Sequence, residues 1–210
     1  MHRFAAALIA LAAWAGLAVQ FAATFGKTGS LPETLWILLR FFTVITNLLV
    51  AVVMTRAAMG HRVSAFIFAG LTLAIVFVGL VYATLLRGLV ALSGLALLAD
   101  YLLHYAVPIA MALYWPAFAP KIGLRYRDPL VWCAYPLAYL FYVVVRGSVD
   151  GRYPYPFIDV AALGYGRILL NSLMLLIAYL LAGLVLVALG RVMARRRGAR
   201  GPLGQQPTSG

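Results

Sequence analysis

Six long apolar runs dominate this 210-residue sequence. Each is close to the roughly 20 residues that a helix needs to cross a hydrocarbon core about 30 Å thick. Backbone groups inside lipid must be hydrogen-bonded within their own segment, which favours helices. The sequence therefore predicts an all-α, polytopic integral membrane protein with six transmembrane helices. The predicted helices cover residues 4–25, 35–55, 64–86, 97–118, 129–146 and 168–190.

Composition agrees with a membrane protein and excludes several other classes. Hydrophobic residues make up 65% of the chain and charged residues 10%. The single cysteine, Cys133, excludes an internal disulfide and a cysteine-based metal site, and we expect neither a metal nor a cofactor. The net charge of +12 would suggest nucleic acid in a soluble protein, but here the arginines flank the apolar runs. We therefore expect the bilayer as partner and no nucleic acid; the sequence does not indicate an oligomeric state.

Lysine and arginine are distributed unequally between the two sides of the predicted bundle. With six helices, eleven of these residues fall on the side of both termini and five on the other side. Because the more basic side is normally cytoplasmic, we expect both termini inside the cell membrane. Residues 1–190 form one predicted transmembrane domain. The basic segment 191–210 has no apolar periodicity, which predicts a disordered cytoplasmic tail.

Polar residues interrupt the second apolar run. Arg40, Thr43 and Asn47 are spaced i, i+3 and i+7, so on one continuous helix they would share a stripe. An arginine within a membrane helix is costly unless it is paired, and it therefore suggests a functional role. The alternative is that Arg40 simply reaches the headgroups with its long side chain.

The fourth run carries Asp100 and His104, four residues apart on one helix face. A carboxylate in that position can accept a hydrogen bond from one ring nitrogen and leave the other nitrogen free to act as a base. Counted along straight helices, Thr43 lies about 12 Å and His104 about 10 Å below the outer surface, so the two are level. A hydroxyl, a base and an orienting acid are the components of a nucleophilic site. The alternative for His104 is a hydrogen bond between helices.

Three segments resemble a known family: RFFTVITN (40–47), DYLLHYAVP (100–108) and VRGSVDGRYPYPFID (145–159). They resemble segments of the androgen-induced-gene and ADTRP family of multipass membrane hydrolases, in the same order and at similar spacing. Members of that family hydrolyse fatty acid esters of hydroxy fatty acids with a threonine nucleophile and a histidine. By motif, the resemblance implies that Thr43 is the nucleophile and His104 the histidine.

The residues and the resemblance together predict an intramembrane hydrolase whose partner is a lipid or fatty acyl ester. His104 would take the proton of Thr43, whose oxygen attacks the ester carbonyl. The site would lie in the outer half of the bilayer. The oxyanion needs hydrogen-bond donors, and the candidates are Arg40, Asn47 and Asn171.

The segment 147–166 is predicted as one long external loop. Tyr153 and Tyr155 alternate with prolines, as expected of an interfacial anchor or of a lid over the polar layer. Arg146 and Arg152 could meet the carboxylate headgroup of a substrate. Two aspartates of the same segment could instead pair with these arginines.

A non-enzymatic function is the competing hypothesis. Arg40, Asp100 and His104 could form a buried proton relay in a lipid-binding or proton-coupled transport protein. The chain has no internal repeat, so the inverted-repeat transporter folds receive no support.

The charge distribution predicts the topology. Reporter fusions at Gly60 and Gly123 should report the cytoplasm, and fusions at Gly29 and Gly151 the external side, because the basic loops stay inside. The measurement is the activity of a reporter that works on one side of the membrane only. The reverse pattern would contradict the prediction.

Overall fold

A computed structural model describes residues 1–199 as a bundle of helices, with no β-strand in that part of the chain. A π-helical turn (Tyr82–Leu86) extends the fourth helix, another (Leu102–Ala106) joins the fifth to the sixth, and a short 3₁₀ turn covers Pro156–Ile158. The nine α-helices of these residues are α1 (His2–Thr28), α2 (Leu31–Leu38), α3 (Phe42–Ala58), α4 (Ala65–Val81), α5 (Gly94–Tyr101), α6 (Val107–Phe118), α7 (Asp128–Trp132), α8 (Ala134–Asp150) and α9 (Val160–Ala199).

Five helical segments are long and apolar enough to cross a membrane, and a sixth is added if the bent pair α2–α3 counts as one span. The prediction of an all-helical protein is thus confirmed for the part of the chain that the structure describes. Large apolar side chains such as Leu113, Phe141 and Leu169 lie exposed on the outer faces of these helices. Such faces suit lipid, which solvates apolar side chains.

The predicted continuous helix over 35–55 is wrong. Helix α2 ends at Leu38, α3 begins at Phe42, and the two are bent by 95°. Arg40 therefore lies between helices and shares no helical stripe with Thr43 and Asn47. The depth of about 12 Å, which assumed a straight helix, does not apply to Thr43.

Contacts from α8 stabilise this break. The Tyr142 hydroxyl donates to the Leu39 carbonyl at 3.2 Å, and the Tyr139 hydroxyl donates to the Arg40 carbonyl at 2.8 Å. The Arg40 guanidinium also contacts the carboxylate of Asp150. Helix ends leave carbonyl and N–H groups without intrahelical partners, so an interruption inside the bundle needs such donors.

Small residues let the first helix pack closely. Ala6, Ala10 and Ala13 of α1 are buried, and α1 packs mainly against α3. Further along α1, a Cβ atom added at Gly16 would lie 2.7 Å from Cδ2 of Leu103, next to the π-turn. Close approach through small residues is typical of membrane helices. This packing places α3 and the π-turn side by side.

Two predicted boundaries differ from the structure at the end of the chain. Helix α8 runs to Asp150 and α9 begins at Val160, so the loop is 151–159 rather than 147–166. Helix α9, kinked at Gly164, continues to Ala199 and includes nine residues of the predicted tail. Alanine and arginine both favour helix, which accounts for the extension. Residues 200–210 of that tail lie outside the described residues.

The contact between α4 and α6 gives a stability prediction. A Cβ atom at Gly79 would lie 3.0 Å from Cβ of Pro108 and 3.1 Å from the His104 carbonyl oxygen, whereas Gly26 has nothing within 4 Å. Gly79→Val should therefore lower stability by about 1–3 kcal/mol through overpacking. Gly26→Val is the matched control. Thermal unfolding in detergent measures both, and equal midpoints would contradict the close contact.

Candidate active site

Thr43 is the second residue of α3, directly after the break. Phe41 precedes the helix in an extended conformation (φ −92°, ψ 127°), which turns the chain into the new axis. The Thr43 residue is 6% exposed, and its Oγ lies 3.2 Å from Nε2 of His104. The break thus brings a hydroxyl at a helix N-terminus into hydrogen-bonding contact with an imidazole 61 residues further along the chain.

His104 lies within the π-turn between α5 and α6. The Val107 N–H bonds to the Leu102 carbonyl, five residues earlier, instead of four. Pro108 has no N–H to offer to the His104 carbonyl, and its ring would clash with that carbonyl in a regular helix. The wider turn relieves this conflict, and such turns are frequent at functional sites.

Asp100 and Tyr82 hold the imidazole from two sides. Asp100 Oδ1 lies 2.9 Å from His104 Nδ1, and its Oδ2 accepts a hydrogen bond from the Tyr82 hydroxyl at 2.7 Å. The Tyr82 ring stacks on the imidazole, with centroids 3.9 Å apart and planes 15° apart. With the ring proton on Nδ1, Nε2 accepts from the Thr43 hydroxyl. Tyr82 is absent from the predicted site. In the sequence it is one polar residue near the end of an apolar run, and that alone does not indicate a functional role.

Asn47 fixes the backbone of the site. Its side-chain amide donates to the Thr43 carbonyl at 2.9 Å and to the Leu103 carbonyl at 3.2 Å. The residue is fully buried. Asn47 therefore joins α3 to the π-turn, and both of its N–H groups are engaged with backbone rather than available for an oxyanion.

The other two predicted oxyanion donors also contact groups away from Thr43. The Arg40 guanidinium contacts Asp150, and the Asn171 amide donates to the Phe157 carbonyl at 3.0 Å. Arg40 is thus paired on α8, separately from the pair that Asp100 forms with the imidazole. The three side chains of the predicted proton relay belong to two separate pairs in the structure, Arg40 with Asp150 and Asp100 with His104.

The predicted headgroup arginines lie around the same aspartate. Nε of Arg146 is 3.9 Å from Asp150 Oδ2, and its guanidinium lies over the Trp36 ring at 3.8 Å. The backbone N–H of Arg152 donates to Asp150 Oδ1 at 3.1 Å. Arg146 is buried, whereas Arg152 is exposed. Pairing with an aspartate, one of the two alternatives, is what the structure shows for Arg146, and that aspartate is the last residue of α8.

The loop 151–159 lies over Thr43. The Tyr155 hydroxyl accepts a hydrogen bond from the Phe42 N–H at 3.1 Å, and burial raises the pKa of Tyr155. The ring of Tyr153 lies against the helix where Gly147 has no side chain, since a Cβ atom there would lie 2.2 Å from the ring. The structure therefore places Tyr155 next to the start of α3, and Tyr153 at the contact between the loop and α8.

Thr43 faces an apolar cavity of about 110 Å³ that is partly open to the outside. Side chains of α3, α4, α8, α9 and the loop line it, and Ser172 is one of its few polar residues. Apolar cavities of about 150 Å³ hold a benzene molecule, so this one is wide enough for the start of an alkyl chain. An apolar chain lying in this cavity would reach the Thr43 hydroxyl.

The arrangement contains a hydroxyl, an imidazole and a carboxylate in series. This is the order of nucleophile, general base and orienting acid in acyl-transfer enzymes. Within residues 1–199, no three histidine, cysteine, aspartate or glutamate side chains cluster as a metal site would require.

No protein-family model, curated protein or solved structure matches this chain. The family resemblance of the three segments therefore stays a prediction. Any assignment of function depends on the geometry of the site itself.

The hydrogen bonds predict the tautomer of His104. Asp100 should hold the proton on Nδ1, and ¹⁵N NMR of labelled protein should show a protonated Nδ1 and an unprotonated Nε2. In Asp100→Ala the acceptor is gone, and the signals should move toward a mixture of the two neutral forms. The exposed His2 and His61 provide reference signals. A parent protein with the proton on Nε2 would contradict the arrangement.

Proposed function

We propose that this protein is an intramembrane hydrolase of lipid esters. Thr43 is the nucleophile, His104 the general base and Asp100 the residue that orients the base. The observation that carries the proposal is the continuous series of short contacts from Thr43 Oγ through the imidazole to Asp100, at 3.2 and 2.9 Å. The series begins at the wall of an apolar cavity. Structural threonine–histidine contacts occur in membrane bundles, but a buried carboxylate aligned behind the imidazole is typical of a base.

The acylation step follows from this geometry. Nε2 of His104 takes the Thr43 proton as Oγ bonds to the ester carbonyl carbon. The carbonyl oxygen becomes an oxyanion. When it collapses, the bond to the alkoxy oxygen breaks, and that oxygen takes the proton from the imidazolium. Asp100 stabilises the imidazolium during the interval. A threonine hydroxyl is a weak nucleophile at its free pKa, so the base is essential.

Water completes the cycle. His104 takes a proton from a water molecule, whose oxygen bonds to the acyl carbon of the acyl-threonine. The bond to Oγ breaks, Thr43 recovers its proton from the imidazolium, and a free carboxylic acid leaves.

The membrane setting supports a lipid substrate. We place the protein in the cell membrane with six spans, α2–α3 counted as one, with both termini cytoplasmic and the site in the outer half of the bilayer. Support comes from the five or six apolar helical segments and from the excess of Lys and Arg on the side of the termini. The chains of a lipid ester could then enter the cavity directly from the bilayer. The resemblance to the androgen-induced-gene and ADTRP family agrees with this substrate class.

Substitutions of Thr43 and of the nearby Thr46 test whether Thr43 is the nucleophile. Thr43→Val removes the attacking oxygen and preserves shape, so turnover of a lipid ester and labelling by a fluorophosphonate probe should fall by at least about a thousandfold. His104→Ala should have the same effect because the base is lost. Purified protein in detergent serves both assays, and mass spectrometry should locate the label on Thr43.

Thr46→Val is the matched control. Thr46 is also buried on α3, but its hydroxyl donates to the Phe42 carbonyl at 2.7 Å and lies 2.8 Å from the Tyr135 hydroxyl. Turnover should stay within about tenfold of the parent, or about 1.4 kcal/mol in the barrier. Folded Thr43→Val that turns over ester like the parent would contradict the threonine mechanism. A parent protein with neither turnover nor labelling would favour the non-enzymatic lipid-binding or transport hypothesis.

A further inference from the structure

Attack by Thr43 on an ester generates a negative charge that requires a donor. Removing one donor from an oxyanion site typically lowers kcat by about 10²–10³-fold, so the donor is a major part of the machinery. Asn47 and Asn171 donate to backbone carbonyls, and Arg40 contacts Asp150. The donor must therefore come from another group near Thr43.

Tyr155 is the hydroxyl group in the right place. Its oxygen accepts from the Phe42 N–H at 3.1 Å, next to Thr43 in the chain, and its side chain lines the same cavity as Thr43. Because the pKa of Tyr155 is raised by burial, the phenol keeps its proton at neutral pH. Its oxygen is already an acceptor for Phe42, and a phenol that accepts one hydrogen bond is polarised to donate its own proton more strongly.

The position of Thr43 adds to this environment. It lies in the first turn of α3, where the backbone N–H groups point outward and the helix dipole is positive. The cavity that receives the apolar chain is lined by both Thr43 and Tyr155. A carbonyl held in the cavity for attack by Thr43 would therefore carry its oxygen between the tyrosine hydroxyl and the start of the helix.

We propose that Tyr155 is a catalytic residue, whose hydroxyl donates a hydrogen bond to the oxyanion formed when Thr43 attacks the ester carbonyl. The proposal rests on the hydrolase function proposed above. The tyrosine proton is shared with the oxyanion and stays on the phenol when the intermediate collapses, so no bond to Tyr155 forms or breaks. The Phe42 N–H remains bonded to the phenol oxygen throughout.

The loop that carries Tyr155 is held in place by its own contacts. The Tyr155 ring stacks on Phe157, with centroids 5.3 Å apart, and the Phe157 carbonyl accepts from Asn171 of α9. The Tyr153 ring fills the space above Gly147 of α8. The donor thus belongs to a loop fixed to α8 and α9, whereas the nucleophile belongs to α3. The donor and the nucleophile therefore stay together only while the loop remains packed against α8 and α9.

A hydroxyl deletion with a matched control tests the proposal. Tyr155→Phe keeps the ring contacts and should lower kcat for a lipid ester by about 10²-fold. Tyr135→Phe removes a phenol that contacts the Thr46 hydroxyl at 2.8 Å, and its kcat should stay near that of the parent. Both variants are purified with the full chain, and thermal midpoints show that they fold.

Two inhibitors separate a donor from a packing residue. A trifluoromethyl ketone with an alkyl chain bonds to Thr43 and carries an oxyanion, whereas the ether of the same chain carries none. Tyr155→Phe should bind the ketone about 10²-fold more weakly and the ether like the parent. Equal losses for both compounds, or unchanged kcat and ketone affinity, would overturn the role of Tyr155. A parent protein that hydrolyses no ester would instead overturn the hydrolase function, which is measured before any variant is compared.

Discussion

The break between α2 and α3 is the constraint on which the site depends. An interrupted helix leaves carbonyl groups without partners, and in an apolar environment each one is costly. Two tyrosine hydroxyls of α8 bind the carbonyls of Leu39 and Arg40, and the Arg40 side chain contacts Asp150. These contacts hold the 95° bend and place Thr43 in the first turn of a new helix. Without the break, the hydroxyl would lie in the middle of a span, far from any helix terminus.

The sequence was sufficient to predict features that depend on local patterns. Hydropathy reveals the apolar helices because each span must be apolar along its own length. The spacing of Asp100 and His104 predicts their contact because both lie on one helical segment, and the structure places their side chains 2.9 Å apart. The structure also brings together Thr43 and His104, which the sequence placed at one depth.

The break itself could not be predicted in this way. Residues 39–41 contain neither glycine nor proline, and the groups that stabilise the bend lie about a hundred residues further along the chain. Arg40 was for the same reason assigned to a stripe with Thr43, although its partner is Asp150. Tyr82 was equally difficult, because a tyrosine near the end of an apolar run is normally an interfacial anchor. The sequence predicts Tyr155 in an anchor or lid, but not its contact with the start of α3. Only tertiary contacts show that these two rings meet the imidazole and the start of α3.

The π-turn at Leu102–Ala106 changes which faces the two halves of its helix present to their neighbours. A π-turn is an α-helix with one residue inserted, and one residue corresponds to about 100° of rotation. Everything on one side of the insertion is thereby turned relative to the other, while both halves keep their own apolar faces. A helix without the extra residue would still be long enough to span the bilayer, yet His104 and Pro108 would present different faces to their neighbours. One residue therefore changes the direction in which the imidazole points relative to the rest of the helix.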